Sequence, residues 1–370
     1  MRIAFLSEQQ YWLGFSLIPE IGTKRILKLL HHFGSLASAW KASEGALRQA
    51  GLEARLVERL LAQRKTLDTA RELARVEKVR AWLLILDDAR YPAALKAIAD
   101  PPAVLYVRGT LRPEDERALC IVGTRKATLN GRETAQQIAQ ELARNGLTIV
   151  SGLAQGIDEA AHRGALLGGG RTIAISACGI NSIYPPQNLE LAHEIIERGA
   201  VVTEFPLNTP PRPHNFPQRN RIMSGLALGV LVAEAPAKSG ALITASIAAE
   251  QGREVFALPG SIQNAASSGT NRLIQEGAKL VMTVGDILGE LNIAHSAVQA
   301  KAAVENVGAD SEIEAQVLQW LYPEPVHIDE IVRNSGLPVS VVSSTLTLLE
   351  LKGLAQMVGA MQYCLVVRRA

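Results

Sequence analysis

Several common functional signatures are missing from this 370-residue sequence. Its three cysteines, Cys120, Cys178 and Cys364, form no C-x-x-C pair and have no metal-ligand spacing. Neither a disulfide framework nor a structural zinc is therefore expected, and a reducing compartment fits. No stretch approaches the roughly eighteen consecutive apolar residues of a membrane helix, so a cytoplasmic protein without a membrane span is the expectation. The formal charge of +2 is too small to name a partner, and residues 120 to 290 balance 14 Lys and Arg against 14 acidic residues. Any anion site must be local. Two phosphate motifs are also absent: there is no G-x-G-x-x-G for a dinucleotide and no G-x-x-x-x-G-K-[ST] for a nucleotide hydrolase.

Much of the chain is nevertheless regular. Residues 9 to about 75 have helical periodicity, with Ile26, Leu29, Leu30 and Phe33 on one stripe after the turn Pro19-Glu20-Ile21-Gly22. That turn resembles a helix-hairpin-helix, whose amides can hold a DNA phosphate, although only one of the two usual glycines is present; a packing turn is the other reading. From Cys120 onward, short apolar runs end in glycine or proline: CIVG, LTIVSG, RTIAISACG, AVVTEFP, LGVLVAEAP, EVFALPG and LVMTV. Amphipathic stretches separate them. In the first, Ala135, Ile138, Ala139, Leu142 and Ala143 make one stripe, Asn130 and Glu133 suggest a capping box, and Gly146 a stop. Near-continuous apolar strands alternating with helices imply an α/β fold with a Rossmann-like, doubly wound, mostly parallel sheet. Four segments are expected: a small helical module (1–80, SAM or helix-hairpin-helix-like), the extended Rossmann-like domain (81–292), a linker (293–310), and a compact unit (311–370) whose three helices and hairpin read as a winged helix.

In such a sheet, ligands bind where loops leave the carboxyl ends of the strands. These loops carry Gly123, Thr124, Arg125 and Lys126; Ser151, Gly152 and Gly156; Phe216, Arg219, Asn220 and Arg221; and Lys238, Ser239 and Gly240. Glycine amides, hydroxyls at helix starts and cations together suit phosphate, and arginine donates to it in pairs. Arg219 and Arg221, two residues apart, face different sides of a helix, so at most one need point inward; a surface ion pair is the alternative for either. Arg125 would fill the space that pyrophosphate needs in a dinucleotide site. A polynucleotide fits better. It offers successive phosphates to several shallow cationic loops, and Phe216 and Tyr184 lie where a base could stack; loop packing is the other reading of Tyr184.

The ordered motifs GTRKATLNG, SGLAQGIDEAAHRGAL, ACGINSIYPPQN, NFPQRNRIMSGL, EAPAKSGALITASIAAEQGREVFALPGS and SSGTNRLIQEGA resemble the DNA-processing protein A (DprA, or Smf) family across the whole central domain. The resemblance implies a cytoplasmic protein of natural transformation that binds incoming single-stranded DNA, protects it and helps load the recombinase RecA. It further implies a homodimer through the Rossmann-like domain, no hydrolysis and no cofactor. It assigns the phosphate pocket to the loop residues named above, Lys126 being added by its place beside Arg125. Two alternative readings ask for residues that this sequence lacks. A phosphoribohydrolase would need the run P-G-G-x-G-T-x-x-E, which LPGSIQNAASSGTNRLIQE does not supply; His162 and Glu159 are its one candidate acid/base pair. A winged-helix regulator would need a cationic or amide-bearing reading helix, but VSVVSSTLTLLELKG has one lysine and one glutamate, so a protein contact is expected there instead.

Overall fold

The structure, a computed structural model, describes residues 7–293, 311–322, 325–359 and 361–366. One compact unit runs to Ile293 and a second begins at Ala294. Apart from Ile293, the expected linker lies outside the described residues.

In the first unit the described strands form a nine-stranded sheet in the order β1-β2-β6-β5-β4-β3-β7-β8-β9. The strands are β1 (Trp82–Ile85), β2 (Val104–Gly109), β3 (Ala118–Val122), β4 (Thr148–Ser151), β5 (Thr172–Ile175), β6 (Ala200–Thr203), β7 (Gly229–Val232), β8 (Glu254–Ala257) and β9 (Lys279–Leu280). From β6 across to β9 every neighbouring pair is parallel; β2 joins β6 antiparallel, and β1 joins β2 antiparallel. The short apolar runs are short because each spans the sheet once with both faces covered. In β3 this is visible residue by residue. Leu119 and Ile121 join one core cluster with helices α8 (Leu129–Arg144), α9 (Ile157–Leu167) and α14 (Val284–Glu290). Cys120 and Val122 join the other with α11 (Asn215–Leu226) and α12 (Gly240–Glu250). Successive side chains point to opposite faces, so each face receives alternate residues.

The chain order fixes where loops gather. From β3 the path moves outward through β4, β5 and β6, then returns to place β7 on the other side of β3. The loops after β3, β4 and β7 therefore open at the point where the winding direction changes, which is where a doubly wound sheet leaves a crevice.

The N-terminal helices do not have a core of their own. Trp12, Leu13 and Phe15 of α1 (Glu8–Ser16) are buried in the same cluster as Leu83, Leu84 and Leu105 of β1 and β2. Thr23, which begins α2 (Thr23–Phe33), donates its hydroxyl to the Pro101 carbonyl at 2.6 Å. In the turn before it, Glu20 adopts φ 72° and its carboxylate is bound by Arg59, while Arg25 Nη1 donates to the Glu20 carbonyl at 2.7 Å. A carboxylate thus stands where a helix-hairpin-helix would offer backbone to a phosphate, and the packing reading of this turn is the one its bonds favour.

The second unit is a winged helix. Its helices Glu312–Leu318, Ile328–Ser335 and Val339–Leu351 pack with a sheet in the order β10 (Val326–His327), β12 (Gln362–Leu365), β11 (Ala355–Gly359) around Val317, Leu318, Ile331, Val342, Leu346 and Leu349. The helix Val339–Leu351 presents Val339, Leu348 and Leu351 to solvent, and Lys352 just beyond it is bound to Glu314 at 2.7 Å. No side chain of that helix offers a cation to DNA.

Candidate nucleic-acid interface

The loop after β3 begins as a continuation of the sheet. Ala233 N–H donates to Val122 O at 3.0 Å and Thr124 N–H to Glu234 O at 2.7 Å, so the parallel ladder between β3 and β7 runs two steps past the strands. The loop then lifts away and exposes Arg125 and Lys126. It returns at Thr128, whose hydroxyl accepts from Gly131 N at 3.0 Å and caps α8. The cap is Thr128 and not the Asn130 and Glu133 pair read from sequence; Gly146, with φ 78° just past the helix, does end it. Gly156 makes the approach of the next loop possible: at φ 85° it lies against the carbonyl of Thr124, which a Cβ would overlap.

Arg125 makes no ion pair among the described residues. Its guanidinium carbon lies 4.9 Å from the Phe216 ring centroid, and Tyr184 meets the same ring edge-on with centroids 6.1 Å apart. Arg219 also lies over Phe216, at 5.9 Å, but is buried to 4% exposure. Phe216 is the second residue of α11 and Arg219 is one turn on, so their side chains share a face of that helix. Arg219 is tucked so closely under the β4 loop that a Cβ at Gly152 would overlap its guanidinium. Its Nη1 donates to Met223 Sδ at 2.9 Å, and its buried Nε has no partner. Burial lowers its pKa from the ordinary value, offset chiefly by the Asp158 carboxylate. A buried guanidinium with an unused donor costs free energy unless an anion arrives.

Arg221, two residues on, points the other way. Its Nη1 and Nη2 donate to Glu204 at 2.8 and 2.7 Å and its Nε approaches Asp100 at 3.4 Å, so this arginine is committed to carboxylates outside the crevice. Two further residues of the sequence reading are likewise engaged internally. Ser151 donates its hydroxyl to Ile121 O at 2.6 Å, and the Gly152 amide donates to Asp158 at 3.2 Å, as does that of Ala154 at 3.4 Å. Asp158 thereby folds the β4 loop back on itself, and burial pushes its carboxyl up against the pull of Arg219.

On the other side of β3, Lys238 is exposed and makes no ion pair among the described residues, and Ser239 caps α12 by accepting from Ala241 N at 3.3 Å. Among the described residues the amides of Arg125, Ala127, Lys238, Ser239 and Gly240 have no protein acceptor. Asn220 is buried and makes no side-chain hydrogen bond there, and Gly123 packs against Ile157 so tightly that a Cβ would overlap it. The candidate phosphate-binding groups are therefore Thr124, Arg125, Lys126, Phe216, Arg219 and the Lys238–Gly240 loop, with Gly123, Gly152 and Gly156 allowing close approach of the backbone.

Sequence reasoning missed the residues that lace these loops together. Asn188 Nδ2 donates to Leu153 O at 2.9 Å, Asn215 Nδ2 to Ala177 O at 2.9 Å, and Asn181 and Asn208 bond each other twice at 2.8 Å. Asparagines in the long loops after β5 and β6 were the available signal, since their short amides bridge neighbouring backbones. The acid/base pair weighed for hydrolysis is not assembled. His162 is fully buried with Nδ1 2.7 Å from Thr172 Oγ1, while Glu159 is bound to Arg163 at 3.1 Å.

Residues 82–292 match the family described as DNA recombination-mediator protein A, and residues 301–360 match the DprA winged helix domain. The chain belongs to the DNA recombination-mediator protein A family. It is 35% identical to Protein Smf of Synechocystis over 96% of this chain and 98% of that one, and 44% identical to the DNA processing protein DprA of Bacillus subtilis over 56% and 70%. Among solved structures, DprA of Streptococcus pneumoniae superposes with a TM-score of 0.68 at 35% identity, covering 78% of this chain and 99% of that one. DNA processing protein A of Helicobacter pylori, whose structure was described for its single-stranded DNA binding mode, gives 0.53 at 30% identity over 59% and 98%. This is a family of DNA-processing proteins with a single-stranded DNA binder among its solved members. No helix of the described residues is long and apolar enough to cross a membrane.

Proposed function

We propose that this chain binds single-stranded DNA in the crevice above β3, β4 and β7, protects it during natural transformation and helps load RecA onto it. It acts in the cytoplasm as a homodimer through the Rossmann-like domain, by binding alone and without a chemical step. The observation that carries this reading is the pairing of two differently held arginines on one aromatic ring. Arg125 is exposed and, among the described residues, free of carboxylates, and Arg219 is buried with an unused Nε. Exposed cations on two loops suit the repeating phosphates of a flexible strand, while Phe216 and the half-exposed Tyr184 supply faces on which unpaired bases stack for ~1–3 kcal/mol each. Duplex DNA keeps its bases stacked inside and can use only the cations. The test is a gel-shift titration of the full chain with single-stranded and duplex oligonucleotides of equal length. Preference for the single strand supports the proposal; equal or weaker affinity for it contradicts it. RecA loading is tested by whether the protein shortens the lag of RecA filament growth on strands coated with single-strand-binding protein.

A further inference from the structure

We propose that Glu234 is a positioning residue for DNA binding: it brackets the loop Thr124–Thr128 from both ends and so sets where Arg125 and Lys126 meet phosphate. This inference rests on the single-stranded DNA reading above. The bracket has two arms. Glu234 main-chain O accepts from Thr124 N at 2.7 Å, at the point where the loop leaves the sheet. Its carboxylate takes both donors of Thr128 where the loop returns: Oε2 accepts from Thr128 N at 2.8 Å and Oε1 from Thr128 Oγ1 at 2.9 Å.

The hydrogen bonds are fully used at this end. The Thr128 hydroxyl proton goes to Glu234, which leaves the oxygen lone pair for Gly131 N at 3.0 Å, so one carboxylate orders the loop end and the first turn of α8 together. Gly131 is explained by the same group, since a Cβ there would overlap Oε2 of Glu234. Between the two arms lie Arg125 and Lys126 with few bonds of their own; Lys126 N–H reaches the Thr124 hydroxyl at 3.2 Å, and the Arg125 guanidinium rests on Phe216. Glu234 is 4% exposed and cannot itself touch DNA. A buried carboxylate is costly, and one placed beside a polyanion site opposes binding by simple charge; its presence there is accounted for by what it holds.

That opposition gives the test its sign. If Glu234 matters only as a charge, removing it tightens DNA binding; if it positions the loop, removing it weakens binding. The experiment titrates labelled oligo-dT with the full-length wild type, Glu234→Ala, Glu234→Gln and Arg125→Ala/Lys126→Ala, and adds Glu234→Ala to that last pair. We expect Glu234→Ala to lose about tenfold in affinity, the equivalent of one charge-assisted phosphate contact. Glu234→Gln, which keeps one acceptor, loses less. Adding Glu234→Ala to the Arg125→Ala/Lys126→Ala pair costs nothing further, because a positioning group has no effect once the groups it positions are gone. A general loss of folded protein would instead reduce binding by the same factor in either background and would lower the melting temperature. If Glu234→Ala does not fold, Thr128→Val should show the same coupling to Arg125 and Lys126, with Thr128→Ser restoring wild-type binding. Unchanged or tighter binding by Glu234→Ala, or full additivity with the Arg125/Lys126 pair, overturns the proposal. A wild type that fails to bind oligo-dT overturns the DNA reading itself.

Discussion

The guanidinium carbon of Arg125 lies 4.9 Å from the ring centroid of Phe216, so an exposed cation with no carboxylate partner among the described residues rests on an aromatic face. Several other exposed arginines are instead tied to acids, as Arg48 is to Glu44 and Arg163 to Glu159. A ring orients a guanidinium without neutralising it, which keeps the full charge available to a phosphate.

Phe216 and Arg125 should therefore be coupled. Phe216→Leu is expected to weaken single-stranded DNA binding about tenfold, by loss of a stacking face and of the arginine's support. In that background Arg125→Ala should cost less than in the wild type, by about 0.5–1 kcal/mol, while Phe216→Tyr retains both effects. A double-mutant cycle by fluorescence anisotropy measures this; strict additivity would mean that the ring does not hold the arginine.

Arg221 should behave in the opposite way to Arg125. Its bidentate partner Glu204 is largely buried, and burial pushes that carboxyl up even with the arginine present. Arg221→Met leaves Glu204 uncompensated and is expected to cost about 2–3 kcal/mol of stability, with DNA affinity per folded molecule unchanged within about twofold. Urea unfolding and anisotropy on the same samples separate the two. A loss of affinity without a loss of stability would return Arg221 to the DNA site.

A pH dependence follows from His162. Burial, then the charge of Arg219, lowers its pKa from the ordinary 6.5 to about 3. Thr172 Oγ1 donates to Ile149 O, so the histidine must donate from Nδ1, and its buried Nε2 is left without a partner. The unfolded chain takes up a proton below about pH 6.5 and the folded chain does not until about pH 3, so stability is complete above 6.5 and falls as pH drops through that window. Between pH 6.5 and 5, above the ordinary carboxylate range, the loss should be about 2 kcal/mol. Urea midpoints across this range should drop for the wild type and flatten for His162→Leu. A wild-type profile as flat as that of the variant would show that His162 is not the group responsible.

The strands and helices of the sheet domain were legible because each depends on local pattern: Leu119 to Val122 is apolar throughout since both faces of β3 are covered, and the α8 stripe has the period of its one buried face. The antiparallel attachment of β1 and β2 was not, since pairing Val104 with Ile85 and Thr203 with Tyr106 depends on residues far apart in sequence. Nor could periodicity tell that Trp12 and Phe15 would share the core of the sheet. In the site, the two-residue spacing of Arg219 and Arg221 already implied that they part ways, but only packing decides that Arg219 is the buried one. Glu234 was opaque for another reason: the Thr128 donors it satisfies lie on a loop far away in sequence, which it meets only after folding.

The proposed binding depends on exposed cations of two separate loops meeting one DNA strand. The most direct measurement is the affinity of the full chain for oligo-dT across a salt series, wild type against Arg125→Ala/Lys238→Ala. Each lost phosphate contact should reduce the slope of log K against log salt by about 0.7. The double variant should bind far more weakly, with a slope lower by about 1.4 and a melting temperature nearly unchanged. Wild-type affinity and slope in the double variant would contradict the account.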